Sequence, residues 1–188
     1  MRTPYIKRIG KGLGEEGLAY LEFALIAPVL LLLLLGGVEV SRYIQTSQKV
    51  DKLAHTIVDL VAQAPTISTQ ELNQIFAAAQ HIMEPHDFDS NGSIIISCLG
   101  YNNQGSLVIK WQYPPQAQQS SPSRIGQQGS TPSLPSGFVV EARDNVIVSE
   151  AFFLFTPIIN EKIVQNTQFY RTAYYLPRLG ELSTLTIN

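Results

Sequence analysis

Residues 18–38 read LAYLEFALIAPVLLLLLLGGV, and the architecture of the chain turns on them. Glu22 is the one charged residue in the stretch, and none occurs from Phe23 to Val38. At 1.5 Å per helical residue, such a run is about as long as the hydrocarbon core of a bilayer is thick. It predicts a transmembrane helix over residues 18–40. The rival is a secretory signal peptide, with Arg2, Lys7, Arg8 and Lys11 as its basic start and Leu30 to Leu35 as its core. The length of the run, the internal Glu22 and the lack of a small-residue cleavage site after the leucines favour a retained span. Arg42, Lys49 and Lys52 follow the run closely, so the excess of preceding positive charge points only weakly to a cytoplasmic N-terminus. Pro28 removes one backbone donor inside the span, which membrane helices tolerate.

Working outward, the 188 residues are 45% hydrophobic but only 15% charged, well below the roughly 25% charged share of an ordinary soluble domain. That length allows one modest domain beside the span and excludes a multi-pass transporter. A formal charge of −2 argues against an electrostatic nucleic-acid binder, so no nucleic acid is expected as a partner. The single cysteine, Cys98, excludes an intrachain disulfide and any multi-cysteine zinc site.

Glu22 demands a reason. A charged residue near the centre of a membrane helix costs roughly 2.5 to 3.5 kcal/mol on insertion scales. One reason is position, since Glu22 lies four residues into the run and can be solvated at the headgroups. Another is supplied by the preceding stretch, Gly12-Leu13-Gly14-Glu15-Glu16-Gly17. Its glycines disfavour stable helix, so a protease is expected to meet it extended. A cut after Gly17 would leave an α-amine on Leu18, largely protonated at neutral pH and one helical turn from the Glu22 carboxylate. The pair would offset each other's burial cost, within one chain or between neighbouring chains.

A glycine, four residues, then Glu and an aromatic is the processing pattern of type IV pilin-like precursors, which Gly17 to Phe23 matches. The longer string GLAYLEFALIAPVLLLLLLGGVEVSRY resembles the N-terminus of the TadE/TadG family of tight-adherence pilus assembly proteins, with Glu39 and Arg42 as its acidic residue and arginine. The resemblance implies a minor pilin or pseudopilin. Residues 1–17 would be a cytoplasmic prepilin-type leader, residues 18–40 the inner-membrane span and residues 41–188 a periplasmic α+β domain. It further implies cleavage between Gly17 and Leu18 by a prepilin peptidase, an assembly role for Glu22 and Phe23, and partners among other pilus or secretion-machinery membrane proteins and membrane lipid. Leu18 departs from the Phe or Met usual at the new terminus of type IV pilins. Processing would leave nine basic and thirteen acidic residues, a formal −4 before the termini.

Beyond the span the pattern stays helical. Val50, Leu53, Ala54, Ile57, Val58 and Val61 recur at the spacing of one buried face, predicting an amphipathic stalk that Pro65 ends. Ser68-Thr69-Gln70-Glu71 has the form of a capping box and opens a second helix with Leu72, Ile75, Phe76, Ala79 and Met83 inward. Residues 93–99 and 106–113 read as strands joined by a hairpin through Asn102 to Gly105, and residues 138–142, 146–155 and 168–176 as three more. Residues 157–164 read as a helical connection. In the low-complexity loop 114–137, 19 of 24 residues are Pro, Gln, Ser or Gly, which predicts a mobile linker with no core of its own. The expected fold class is therefore α+β, with a small antiparallel sheet of about five strands. The aromatics Phe152, Phe153, Phe155, Phe169, Tyr170, Tyr174 and Tyr175 are expected to pack the core of that sheet rather than form a binding face.

No reaction centre is legible. Asp87-Phe88-Asp89-Ser90-Asn91-Gly92 copies half of a calcium loop, but Cys98 stands where the bidentate Glu belongs, so a polar turn is expected. His81, Glu84 and His86 match no common zinc spacing. Catalytic, metal and cofactor residues are expected to be none, and Cys98 is expected to be a buried strand residue. The function expected is assembly of a tight-adherence pilus from the inner membrane. The alternatives are a membrane-anchored periplasmic binding or sensory module, in which the span is only a tether, and an anchored periplasmic enzyme.

Overall fold

The structure, a computed structural model of the chain, describes residues 13–114, 120–142, 144–158 and 165–187. Helix α1 runs from Leu13 to Ala62, with leucine and valine its commonest residues and Pro28 the one proline inside it. The division between the two compact units, residues 1–42 and 43–188, falls within that helix. The expectation of extended chain before the span is corrected over its described part, because Leu13 to Gly17 are helical. The physical reason is propagation. Gly14 and Gly17 cost up to about 1 kcal/mol each, but extending a helix that already exists avoids the unfavourable nucleation step.

In the second unit, residues 43–62 of α1 place Val50, Leu53, Ala54, Ile57, Val58 and Val61 in the core, each essentially without exposure, as their spacing requires. Helix α2, Thr69–Met83, opens with the capping box: the Glu71 amide donates to Ser68 Oγ at 3.3 Å and the Ser68 amide to Glu71 Oε2 at 2.8 Å. It buries Leu72, Ala79 and Met83, with Ile75 and Phe76 packed at the margin. The Asp-rich turn becomes a four-residue helix, α3, Phe88–Asn91, whose N-cap Asp87 accepts from the Ser90 amide at 3.2 Å.

The sheet contains β1 Gly92–Tyr101, β2 Leu107–Tyr113, β3 Val146–Phe155 and β4 Thr167–Tyr175, antiparallel throughout in the order β2-β1-β3-β4. The β1–β2 hairpin closes through Gly105 at φ 75°, a left-handed conformation that glycine adopts without strain, and Asn102 Oδ1 accepts from the amides of Gln104 and Ser106. Between Cys98 and Leu99 the pairing skips Lys110 on β2. That bulge turns Trp111 and Ile109 to opposite faces, although they are two residues apart.

Two layers cover the sheet. Ile94, Ile96, Cys98, Ile147, Ala151 and Phe153 face the helices, while Leu99, Ile109, Val146 and Val148 form a second core with Ile125 and Val140. Among the described residues four strands form instead of about five. Residues 138–142 are not a strand: Pro135 O accepts from the Phe138 amide in a turn, Gly137 takes φ 84°, and Val140 is buried as a plug against the second face. The low-complexity segment also departs from expectation. Residues 120–137 lie on that second face, with Ile125 buried and Leu134 beside it. Ile109 exchanges backbone hydrogen bonds with Gly129 and Ser130, so the segment borders the edge of β2. Of the expected helical connection at 157–164, residues 159–164 lie outside the described residues, as do residues 1–12 of the expected leader.

The chain after β4 straps the unit together. The Arg178 amide donates to Ala62 O, the Trp111 indole to Leu182 O at 2.7 Å, and the Thr186 amide to Ile67 O. The strand aromatics pack as expected. Phe152, Phe153, Phe155 and Phe169 are buried, and Tyr43 of α1 meets the rings of Phe155 and Phe169 at 5.6 and 4.8 Å.

Candidate functional site

On α1 the residues singled out by sequence lie along exposed helix. Leu18, Phe23 and every leucine of the run are half or more exposed, and Glu22 is exposed among them. An added Cβ at Gly17 would meet nothing within 4 Å. The most apolar stretch of the helix buries no residue against protein. A monomeric soluble protein rarely leaves so large a contiguous apolar surface in water, and a helix of this length and apolarity fits a single-pass membrane anchor. Leu18 and Glu22 are one turn apart on the same face. In the uncut chain the Leu18 nitrogen is a peptide nitrogen, so the charge pair exists only if the Gly17–Leu18 bond is broken. Farther along, Arg42 reaches Glu39 Oε1 at 3.4 Å, as an i, i+3 pair.

The chain is thus of the class in which one exposed, apolar N-terminal helix carries an α+β domain. Within that class, the model of the TadE-like protein family matches residues 17–59, which identifies this segment as TadE-like. The match begins at Gly17, takes in Leu18, Glu22 and Phe23, and extends over most of the buried stripe of α1. No curated protein and no solved structure matches the chain.

The candidate metal residues do not assemble. Among the described residues no group of three or more His, Cys, Asp or Glu is placed to hold a metal ion. His81 pairs with Glu84 at 3.1 Å on an exposed surface, while His86 Nε2 lies 3.0 Å from Thr46 Oγ1, turned to α1. Cys98 is buried, and that burial pushes its thiol up to about 12 against a smaller opposing effect of Lys110.

One polar cluster escaped the sequence reading. Glu150, at the centre of β3, has no exposure, yet its carboxylate accepts from the Tyr170 hydroxyl at 2.8 Å, the Arg124 amide at 2.8 Å, the Ile125 amide at 3.4 Å and the Ser123 hydroxyl. Four donors converge on an acceptor-only group, the arrangement that makes a buried carboxylate tolerable. Burial first, then the Glu150 charge, raises the pKa of Tyr170, so its hydroxyl remains a donor. The Arg124 guanidinium lies 4.3 Å from the Tyr170 ring centre. A signal was present: Glu150 is the only charged residue in VIVSEAFFLF. The cluster anchors the low-complexity segment to the sheet.

A cavity of about 560 Å³ in the second unit lies beside β2 and is lined by Trp111, Tyr113, Asn73, Lys110, Ser183 and Leu185. Its one cationic head, Lys110 Nζ, donates to Asn145 Oδ1 at 2.8 Å, and the Tyr113 hydroxyl bonds Asn73 Oδ1 at 2.7 Å. Among the described residues no nucleophile–base pair lines it.

Proposed function

We propose that this protein is a minor pilin or pseudopilin that takes part in assembly of a tight-adherence pilus. It sits in the bacterial inner membrane with its N-terminus cytoplasmic and residues 41–188 periplasmic, and it is not an enzyme. The observation that carries the proposal is the coincidence of a TadE-like segment with a bare apolar helix whose one internal carboxylate, Glu22, follows Gly17-Leu18 by a single turn. Cleavage after Gly17 by prepilin peptidase frees the Leu18 amine. The helix then associates with other membrane proteins of the machinery, and pairing of Glu22 with the Leu18 amine of a neighbouring chain sets axial register. Phe23, exposed beside it, packs in the same contact.

The N-terminal sequence and intact mass of membrane-extracted protein, made with and without prepilin peptidase, test this. A peptidase-dependent start at Leu18 is expected. A start at Met1 in both samples overturns the processing step, and a start after Gly37 overturns the anchor.

One observation favours a second reading, a plain anchor for a binding or sensory domain: Leu13 to Gly17 are helical rather than extended. In that case an unrelated span in place of residues 18–38 preserves function, whereas the pilus reading requires loss.

A further inference from the structure

At the end of β4 away from Tyr43, the second unit carries an exposed apolar surface. Val139 is 81% exposed, Leu176 56% and Leu179 70%. A cleft of about 300 Å³ lies among Phe138, Val139, Val140, Val146, Tyr174 and Leu176, floored by the Phe138–Tyr174 ring contact at 4.7 Å. A second cleft, about 210 Å³, shares Asp144 and Leu176 with the first and extends it along Pro177 and Gly180. The two adjoining clefts, with Asp144 and Leu176 common to both, together constitute one groove.

The rim of the groove is acidic. Glu141 and Asp144 line the first cleft, and Asp144 and Glu181 the second. Among the described residues, none of these three carboxylates makes a hydrogen bond or ion pair. They outnumber the arginines of the same stretches, Arg143 and Arg178, and Arg178 is committed to Asp59. Exposed leucine and valine beside unpaired carboxylates fit an apolar segment that carries cations. We propose that this groove docks a segment of a partner protein that presents aliphatic side chains flanked by Lys or Arg.

Charge selects that occupant. Anionic lipid is repelled by the rim. A second copy would bring the same acidic surface to the contact. The proposal holds whether or not the Gly17–Leu18 bond is cut.

The test uses the full chain in nanodiscs of neutral phosphatidylcholine, with empty discs as the blank. The probe is a fluorescein-labelled peptide of alternating Leu and Lys, compared with its Leu/Glu and Ser/Lys counterparts by fluorescence anisotropy. Saturable binding of the Leu/Lys peptide is expected, with at least about tenfold loss in Val139→Ser/Leu176→Ser, since both side chains are exposed and contribute through apolar burial. The Glu141→Gln/Asp144→Asn/Glu181→Gln variant is expected to weaken binding at low salt and to match the parent at about 0.5 M salt, where rim charges are screened. Ile187→Ser, exposed outside the groove, is the control expected to change nothing. No saturable binding, equal binding by all variants, or equal binding of the Leu/Glu peptide overturns the proposal. So does concentration-dependent dimerisation that Val139→Ser/Leu176→Ser abolishes, which would assign the groove to a second copy.

Discussion

Replacing Glu150 with Gln is expected to release the low-complexity segment while leaving the helical core intact. The native carboxylate accepts two short bonds at Oε1, from the Arg124 amide and the Tyr170 hydroxyl, a longer one from the Ile125 amide, and one at Oε2 from Ser123. The glutamine keeps one oxygen for the first three and turns its NH₂ to Ser123, so hydrogen bonds survive but charge assistance does not. A bond to a charged group exceeds a neutral one by about 1 kcal/mol, so the two short bonds together lose about 2 kcal/mol. The loss falls on local opening of residues 120–134, because the carboxylate is what ties that segment to β3. Amide hydrogen exchange of the full chain in nanodiscs reads it directly. The bonded amides of Arg124, Ile125, Gly129 and Ser133 should exchange roughly thirtyfold faster, at 1.36 kcal/mol per tenfold, with α2 and β1 unchanged. Glu150→Ala, which strands two backbone donors and a tyrosine hydroxyl beside a cavity, should cost about 3 to 5 kcal/mol if the segment stays docked, and undock it otherwise. Exchange of those amides within about threefold of the parent in Glu150→Gln would refute the reasoning, as would uniform acceleration across the unit.

Other predictions follow from particular residues. Glu22→Ala should leave membrane insertion intact and abolish piliation, read by membrane fractionation and electron microscopy; unchanged piliation removes Glu22 from assembly. Ser68→Ala removes the side-chain half of the capping box and should cost about 1 kcal/mol in reversible unfolding. Cys98 should resist iodoacetamide at pH 8 in the folded chain and react in urea, because burial holds its thiol at about 12. Since that pKa is raised above the ordinary value of about 9, the group's contribution to stability is complete below pH 9 and falls as pH rises from 9 to 12, where only the unfolded thiol ionises. Trp111→Phe keeps the ring but loses the indole bond to Leu182 O, so the strap at 176–187 should become more sensitive to limited proteolysis.

Much of the fold was legible because its signals are local. A charge-free run of leucines, a stripe at helical spacing from Val50 to Val61, Ser68 and Glu71 three residues apart, and an Asn-to-Gly turn between two β-branched runs each determine structure from neighbours within one or two turns. The sequence also singled out Gly17, Leu18, Glu22 and Phe23, and the TadE-like match covers all four.

The remainder depended on partners distant in the chain. Residues 138–142 have strand composition, yet β1 and β4 already occupy both edges of β3, so Val140 serves the unit as a plug on the second face. A segment of Pro, Gln, Ser and Gly has too little apolar surface to fold by itself, but Ile125 joins Leu99, Ile109 and Val148 in the core on the second face and a carboxylate 25 residues later gathers the segment's donors. By itself the sequence determined the apolar helix, its stalk and the two capped or turned junctions, because period and local hydrogen bonding suffice for them. Only the tertiary structure decided that the low-complexity chain is a layer, that Glu150 is its anchor and that an acidic-rimmed groove stays open beside Leu176, because burial and charge pairing are properties of surfaces that meet only after the chain has folded.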